Sequence, residues 1–383
     1  MTVFDAMVGQ ERARDTLTRA VADAGLPSPG AAMTHAWLFT GPPGSGRSVA
    51  ARAFAAALVC PDGGCGHCTD CHTALLGSHA DVDHVATEAM TISVERARSL
   101  VLEASAAPSV ARWRVIVLED ADRLTEQANN ALLKSLEEPT PHTVWLLCAP
   151  SMEDVLPTIR SRCRHVVLTT PTTTDVARHL VERDGVDEAM AAFAARASMG
   201  HIGRARGLAR DEQARLTRAA TLSLPVNVGS LASALLSARE LVDAATERGA
   251  ARTKATDETE RIELARGLGV ENPDRPPKWA RPEFKRLKEA QDKRRRRATI
   301  DELDRDLQDL LAFYRDVLVV QVGGDVTLVN AELLGNIEKV AGRYQPEITM
   351  RSMQAILEAR EKISAYVTPL LAVEELALAL GTR

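Results

Sequence analysis

A glycine-rich loop, Gly41-Pro-Pro-Gly-Ser-Gly-Arg-Ser48, constrains the fold of this chain more than any other feature. The apolar run Trp37–Thr40 precedes it and an alanine-rich stretch of helical composition follows it, so the order is strand, loop, helix. In loops of the pattern G-x-x-x-x-G-K-[ST], backbone N–H groups cradle phosphates, the lysine reaches the β- and γ-phosphates, and the hydroxyl residue binds Mg²⁺. The loop therefore predicts an α/β domain of the nucleotide-binding type.

Arg47 stands where this pattern has its lysine. Its guanidinium is a planar fork on a longer stem, whereas a lysine ammonium is a compact point charge, so the exchange is not conservative at a phosphate site. We expect the shape of the loop to persist without hydrolysis, and retained binding of ATP and Mg²⁺ stays open. The candidate nucleotide-binding residues of this degenerate site are Gly41, Gly44, Gly46, Arg47, Ser48, Glu119 and Asp120.

Further apolar runs predict the rest of a parallel sheet. Val115–Leu118 and Val144–Leu147 are continuous apolar segments, typical of strands buried on both faces under covering helices. Between them, 125–138 has a helical pattern, with Thr125 as the N-cap and Pro139 just past the end.

The 383 residues are enough for more than one domain. We predict a nucleotide-binding-type domain at 1–171, a small helical lid at 172–215 and an all-helical domain at 216–383. Within the last, the polar and proline-containing stretch 246–298 is interpreted as an insertion or a mobile linker. The Pro171-Thr-Thr-Thr segment is predicted to link the first two domains.

Charge and composition narrow the location and the partners. The net charge of −5 argues against attraction of nucleic acid by the whole surface and leaves only local patches. The opening residues do not resemble a signal peptide, and the apolar run 49–59 is too short to span a bilayer. A cytoplasmic protein is expected.

Four of the six cysteines lie within twelve residues, in the pattern C-x₄-C-x₂-C-x₂-C. In a reducing compartment such a cluster indicates a metal site, and four thiolates fit a closed, structural zinc site. Neighbouring glycines suit a tight turn better than buried free thiols, although His67 or His72 could replace one ligand. Cys163 is expected to pack in the core. The predicted ligands are Cys60, Cys65, Cys68 and Cys71.

Several segments together resemble one family. The chain resembles the subunits of bacterial DNA polymerase III clamp loaders, which are AAA+ proteins. Four features carry the resemblance: Asn130–Pro139, the tripeptide Ser161-Arg-Cys163, the loop and the cysteine cluster. Residues 1 to about 210 carry the resemblance. Towards the end, Phe313–Asp316 and Leu370–Leu376 are similar, more loosely, to the helical collar through which these subunits assemble.

The resemblance implies roles for single residues. Arg162 would be an arginine finger that reaches the ATP of a neighbouring subunit, where such a residue accelerates hydrolysis by ~10³ to 10⁵. The alternative is an ordinary surface salt bridge. Asn130–Pro139 would lie near a subunit interface, with Lys134 more often solvated than in contact. Val8-Gly9-Gln10 would border the nucleotide base or serve a structural purpose alone.

Four departures from the hydrolytic family pattern point the same way. Besides Arg47, the order Glu119-Asp120 reverses the family's Asp-Glu pair, and a shorter side chain changes the reach of a general base. Ala149 and Pro150 occupy the position of a polar sensor. In the lid, hydrolysing relatives have an arginine three residues after a glycine. Counted from Gly200, that position is Gly203, and Arg204 lies one residue later.

The leading hypothesis is a subunit without enzymatic activity of its own. It would be a stator within the polymerase III holoenzyme, with other clamp-loader subunits (gamma/tau and delta), the sliding clamp and primer-template DNA as partners. One alternative is an ATP-hydrolysing motor subunit of the gamma/tau type. Another is a nucleic-acid-binding protein acting through 275–297, which has eleven basic and three acidic residues. A solvated linker is the plainer interpretation of that stretch, since Trp279 alone is too little for a stacking platform.

Overall fold

The chain forms two units, described here from a computed structural model: Met1–Arg210 and Asp211–Arg383. The structure describes residues 2–87, 91–227, 230–365 and 367–381. The predicted domains 1–171 and 216–383 thus each include a few residues outside the described ones. No helix in the described residues combines the length and apolar character needed to cross a membrane.

The first unit is built on a five-stranded parallel sheet in the order β2-β3-β4-β1-β5. The strands are β1 Ala36–Thr40, β2 Val82–Val85, β3 Arg114–Leu118, β4 Thr143–Ala149 and β5 Arg164–Val167. Six helices accompany them: α1 Glu11–Ala24, α2 Arg47–Val59, α3 Thr69–Leu76, α4 Val94–Ala104, α5 Glu126–Glu137 and α6 Pro157–Arg160.

The three predicted strands are confirmed as β1, β3 and β4, at the centre of the sheet. Their alternate side chains belong to two separate cores, one on each face. On one face the rings of Trp37 and Phe54 of α2 meet edge to face with their centroids 5.0 Å apart, and on the other Leu38 and Trp145 pack with α4 and α5. Double-sided burial explains the continuous apolar runs of these strands.

Two strands were not predicted from the sequence. β2 reads Val-Asp-His-Val and β5 reads Arg-His-Val-Val, and both lie at the edges of the sheet. Four-residue segments with central or leading polar residues show neither continuous apolar character nor clean alternation. The helix predicted at 125–138 is confirmed as α5, and the Thr125 hydroxyl accepts a hydrogen bond from the Ala128 N–H at 3.2 Å.

A small helical bundle ends the first unit. It consists of α7 Thr173–Asp184, α8 Glu188–Ala197 and α9 Ile202–Arg210, which pack on one another. Thr172 caps α7, so most of the segment predicted as a linker, Pro171–Thr174, is already part of this bundle. Residues 211–215, predicted to belong to the lid, lie in the second unit instead, because they begin a helix that packs there.

The second unit is helical throughout its described residues. Its α-helices are α10 Glu212–Asn227, α11 Leu231–Leu268, α12 Arg281–Val322, α13 Leu334–Arg343, α14 Pro346–Ser364 and α15 Pro369–Gly381. Phe313 and Tyr314 of the segment Phe313–Asp316 are buried in its core, and the Asp316 carboxylate accepts hydrogen bonds from the backbone of Val329 and Asn330.

The stretch 246–298, interpreted as an insertion or a mobile linker, is not an irregular linker. These residues form the second half of α11, a turn, and the first part of α12. Pro273, Pro276 and Pro277 lie in the turn, and Pro282 lies in the first helical turn, where proline is tolerated. Gly249 lets the two helices approach closely, since a β-carbon there would lie 2.7 Å from the backbone nitrogen of Thr299.

Candidate functional site: a degenerate phosphate loop, an arginine and a four-cysteine cluster

The glycine-rich loop joins β1 to α2, as its sequence requires. Gly44 has φ +88°, a left-handed conformation that favours glycine, and a β-carbon there would lie 2.8 Å from the side chain of His201. His201 comes from the turn between α8 and α9. The helical bundle therefore covers the loop closely, and no side chain fits at this position.

The loop is anchored by hydrogen bonds within the unit. The Gly41 N–H donates to the Pro150 carbonyl at 3.1 Å. The Gln10 amide donates to the Ser45 carbonyl at 3.2 Å and to the Thr169 carbonyl at 2.6 Å, and its oxygen accepts from the Thr169 N–H at 3.1 Å. Gln10 thus ties the N-terminal segment to the loop and to the entry of the helical bundle, which is a structural role.

Arg47 contacts its own loop. Its Nη1 donates a hydrogen bond to the Gly41 carbonyl at 2.8 Å. The planar guanidinium of arginine can make this contact while its other nitrogens stay fixed in the same plane. The single ammonium group of a lysine cannot do this. One donor of Arg47 is therefore engaged by the protein and has to leave Gly41 before it can bind a phosphate.

The two acidic residues after β3 are also engaged. Glu119 accepts a hydrogen bond from Arg52 Nε at 2.9 Å and forms an ion pair with Arg52 Nη2 at 2.6 Å. Asp120 accepts from the Thr87 N–H at 3.1 Å and lies 3.5 Å from Arg123 Nε. Both carboxylates are thus held by contacts within the protein, so neither is free to approach an attacking water without leaving its partner.

The sensor position holds no side-chain donor. Ala149 is the last residue of β4, and Pro150 contributes only its carbonyl, to Gly41. Nearby, His165 Nε2 and the Thr40 hydroxyl share a hydrogen bond of 2.5 Å, and burial lowers the pKa of His165. In the helical bundle, the Arg204 N–H donates to His201 Nδ1 at 3.3 Å. The sequence analysis missed Arg52, His165 and His201, because their partners lie far away along the chain.

Arg162 lies after α6 and contacts residues outside the glycine-rich loop. Its Nη1 donates to the Thr158 carbonyl at 2.6 Å and to the Ser161 hydroxyl at 3.2 Å, while Nη2 pairs with the Glu137 carboxylate at the end of α5. The Arg162 side chain remains 34% exposed. Cys163 packs against the core beside it, and burial raises the pKa of its thiol to about 12, as expected for a core cysteine.

The four clustered cysteines converge. Their Sγ atoms all lie within 4.8 Å of one another, and Cys60 Sγ is 3.7 Å from those of both Cys65 and Cys68. A tetrahedron with Zn–S bonds of about 2.3 Å has edges of about 3.8 Å. The donor set and its spacing therefore fit a four-thiolate metal site.

Backbone N–H groups support these sulfurs. The Cys71 N–H donates to Cys68 Sγ at 3.3 Å, and the Gly66 N–H donates to Cys71 Sγ at 3.4 Å, as second-shell donors do in metal sites. Gly64 has φ +98°, and a β-carbon there would lie 2.8 Å from Val3. His67 Nδ1 contacts the Cys65 carbonyl at 3.0 Å, so this ring is engaged outside the sulfur cluster.

The first unit has the AAA+ fold. Its parallel sheet runs β5-β1-β4-β3-β2, the glycine-rich loop follows the strand between β4 and β5, and a small helical bundle follows the last strand. A further helical unit follows it.

Comparison with known proteins narrows this class. The family model for "DNA polymerase III, delta subunit" matches residues 29–172. The delta' subunit of Bacillus subtilis DNA polymerase III is 26% identical over 351 residues, which are 91% of each chain. The delta' subunit of Pseudomonas aeruginosa is 38% identical over 135 residues, 34% of this chain and 41% of that protein. The chain is therefore similar to clamp-loader subunits of DNA polymerase III, and over most of its length to a delta' subunit.

The gamma/tau subunits of the same polymerase are also similar. That of Mycobacterium bovis is 34% identical over 207 residues, which are 51% of this chain but 35% of that protein. The match thus spans about a third of the gamma/tau relative's length. Because the chain is similar to both kinds of subunit, the comparisons do not decide whether it hydrolyses ATP. That question depends on the residues of the site.

Proposed function

We propose that this chain is the stator of a DNA polymerase III clamp loader. It hydrolyses no ATP itself, supplies Arg162 to the ATP of a neighbouring subunit, and helps to load the sliding clamp onto primed DNA. One observation carries the proposal: in the chain's own loop Arg47 is engaged by the Gly41 carbonyl, while Arg162 remains partly exposed. Forked cations of this kind stabilise the charge on a transferring phosphoryl group.

The partners follow from this role. They are the gamma/tau and delta subunits, the sliding clamp and primer-template DNA, all in the cytoplasm. The four-cysteine cluster holds a structural zinc ion, because four thiolates close the coordination sphere and leave no open position for a substrate. Bound ATP and Mg²⁺, if retained by the loop, would be structural.

The rival function is an ATP-hydrolysing motor subunit of the gamma/tau type. The two are separated by the ATP turnover of the purified chain, alone and as Asp120→Ala. If the unchanged chain hydrolyses ATP no faster than Asp120→Ala does, the result supports the stator. Turnover that Asp120→Ala abolishes would establish the motor and overturn the proposal.

Replacing Arg47 by the lysine of the usual pattern tests whether several residues together, and not Arg47 alone, prevent ATP hydrolysis. Arg47→Lys should strengthen binding of ATP, because a lysine frees the Gly41 carbonyl and reaches the phosphates as a point charge. Hydrolysis should stay absent, since Glu119 remains paired with Arg52 and position 149 has no polar side chain. Calorimetric titration measures the first effect and phosphate release the second.

Arg47→Ala is the control for this experiment, because it also frees the Gly41 carbonyl but supplies no cation. It should bind ATP more weakly than Arg47→Lys. Hydrolysis by Arg47→Lys alone would show that the loop residue is the single defect, contrary to this explanation.

A further inference from the structure

The segment 246–298, here called the arm, is a paired helical rod. On its α12 side, the inward positions Phe284, Leu287, Gln291, Arg294 and Ala298 alternate in steps of three and four residues, the spacing of a coiled-coil seam. At the tip, Phe284 packs with Ala265, Val270 and Ala280. The arm therefore holds its surface side chains at fixed spacings.

Two acidic side chains of the arm form ion pairs at the seam between its two helices. Arg294 Nη1 lies 2.8 Å from an Asp257 oxygen and its Nη2 lies 2.5 Å from a Glu260 oxygen. Gln291 donates to the Asp257 carbonyl at 2.8 Å and to Glu260 at 3.2 Å. The side chains of Arg294 and Asp257 are each only 12% exposed. These two carboxylates are thereby neutralised inside the arm.

The opposite face of α12 presents a stripe of cations to solvent. It consists of Arg281, Lys285, Lys288 and Arg296, which recur at helical spacing and are all exposed. In the part of the chain that the structure describes, no carboxylate oxygen lies within 4.0 Å of Lys288 or Arg296, and the Lys285 contact with Glu289 is long at 3.9 Å. Two carboxylates, Glu289 and Asp292, also lie on this face, and Asp292 pairs with Arg295 at 3.5 Å.

The charge of the stripe contrasts with that of the whole chain. The basic stretch 275–297 has eight more basic than acidic residues, whereas the full chain has a net charge of −5. A local positive surface on an acidic protein attracts a polyanion to that surface alone. The sixteen residues from Arg281 to Arg296 span about 22 Å of helix, a length over which a DNA duplex presents about six phosphates on each strand.

We propose that the cationic stripe of the arm binds the phosphate backbone of duplex DNA. A straight helix with fixed cations matches the rigid phosphate array of a duplex. A single strand is bound mainly on aromatic platforms, and the arm offers one exposed aromatic ring, Trp279. The contact reads no sequence, because phosphates are the same at every base pair. The proposal depends neither on Arg162 nor on ATP hydrolysis.

The test removes three charges of the stripe from the full-length chain. The arm variant carries Lys285→Gln, Lys288→Gln and Arg296→Gln. Its matched control carries Arg239→Gln, Lys339→Gln and Arg351→Gln, which remove the same charge from exposed positions elsewhere in the second unit. Fluorescence anisotropy with a 30-base-pair duplex of mixed sequence gives the dissociation constant at several salt concentrations, and circular dichroism checks that both variants are folded.

The arm variant should bind the duplex about tenfold or more weakly than the unchanged chain at low salt. The slope of log Kd against log salt should fall by about 2.7, which is about 0.9 for each lost phosphate contact. The control should change neither. Equal losses in both variants, or no binding of the unchanged chain at low salt, would overturn the proposal.

Two further measurements separate duplex DNA from other polyanions. The same chains are titrated with a 30-nucleotide single strand and with vesicles containing phosphatidylserine. Tighter binding of the single strand than of the duplex would contradict the proposal, as would vesicle binding with the same dependence on the three residues. Preference for the duplex, lost only in the arm variant, supports it.

Discussion

Replacement of Arg162 by alanine is expected to slow ATP hydrolysis by ~10³-fold or more at the one site that this residue serves. The physical reason is that an arginine supplied in trans stabilises charge that develops only in the transition state. In a reconstituted clamp loader, rapid-quench measurement should count one fewer ATP hydrolysed per complex in the fast phase. Binding of ATP to the neighbouring subunit should change far less than its hydrolysis.

Arg160→Ala is the matched control, since Arg160 lies two residues before Arg162, at the end of α6. It should leave the number of rapidly hydrolysed ATP molecules unchanged. Loss of the Arg162 ion pair with Glu137, which is 45% exposed, should cost at most about 1 kcal/mol of stability, so the complex should still assemble. Failure of Arg162→Ala to assemble would instead assign Arg162 a structural role.

Replacement of Cys71 by serine is expected to abolish zinc binding and to unfold the segment around residues 60–76. Structural zinc sites of this kind contribute about 10–16 kcal/mol of apparent binding free energy in isolated peptides. Cys71 is fully buried, and its sulfur lies in the cluster with the other three. Metal content by mass spectrometry should fall from one zinc per chain to none, and the melting temperature should fall with it.

Cys163→Ser provides the control, because Cys163 is a core cysteine outside the cluster. This variant should lose some stability through burial of a hydroxyl but keep its zinc. A native chain without zinc, or a Cys71→Ser chain as stable as Cys163→Ser, would contradict the zinc assignment.

The predictions from sequence succeeded where a pattern is local. Continuous apolar runs predicted β1, β3 and β4, because a strand buried on both faces has apolar residues at successive positions. The Thr125 cap fixed the start of α5 for a similar reason, since its hydroxyl bonds a backbone group three residues away. The edge strands β2 and β5 have no such run, so nothing in their four residues distinguishes them from loops.

The arm differs most from what its composition suggests. Its many charges and prolines are compatible with an insertion or a mobile linker, whereas in the structure the prolines lie at the turn and at the start of α12. The charges are compatible with two long helices because Arg294 meets Asp257 and Glu260 across the seam. These partners are more than thirty residues apart in the chain, so the sequence pattern of either helix alone does not reveal them.

The sequence by itself determined which chemical groups this protein has and how they are locally spaced: the phosphate loop with its arginine, the four clustered cysteines and the Ser-Arg-Cys tripeptide. Tertiary structure decided which charges are available. Arg47 turns to Gly41, Glu119 pairs with Arg52, and Arg294 is drawn into the seam while Lys288 faces solvent. The reason is physical: local spacing sets the geometry of a loop or a cluster, whereas the pairing of a charge depends on which distant residues the fold brings beside it.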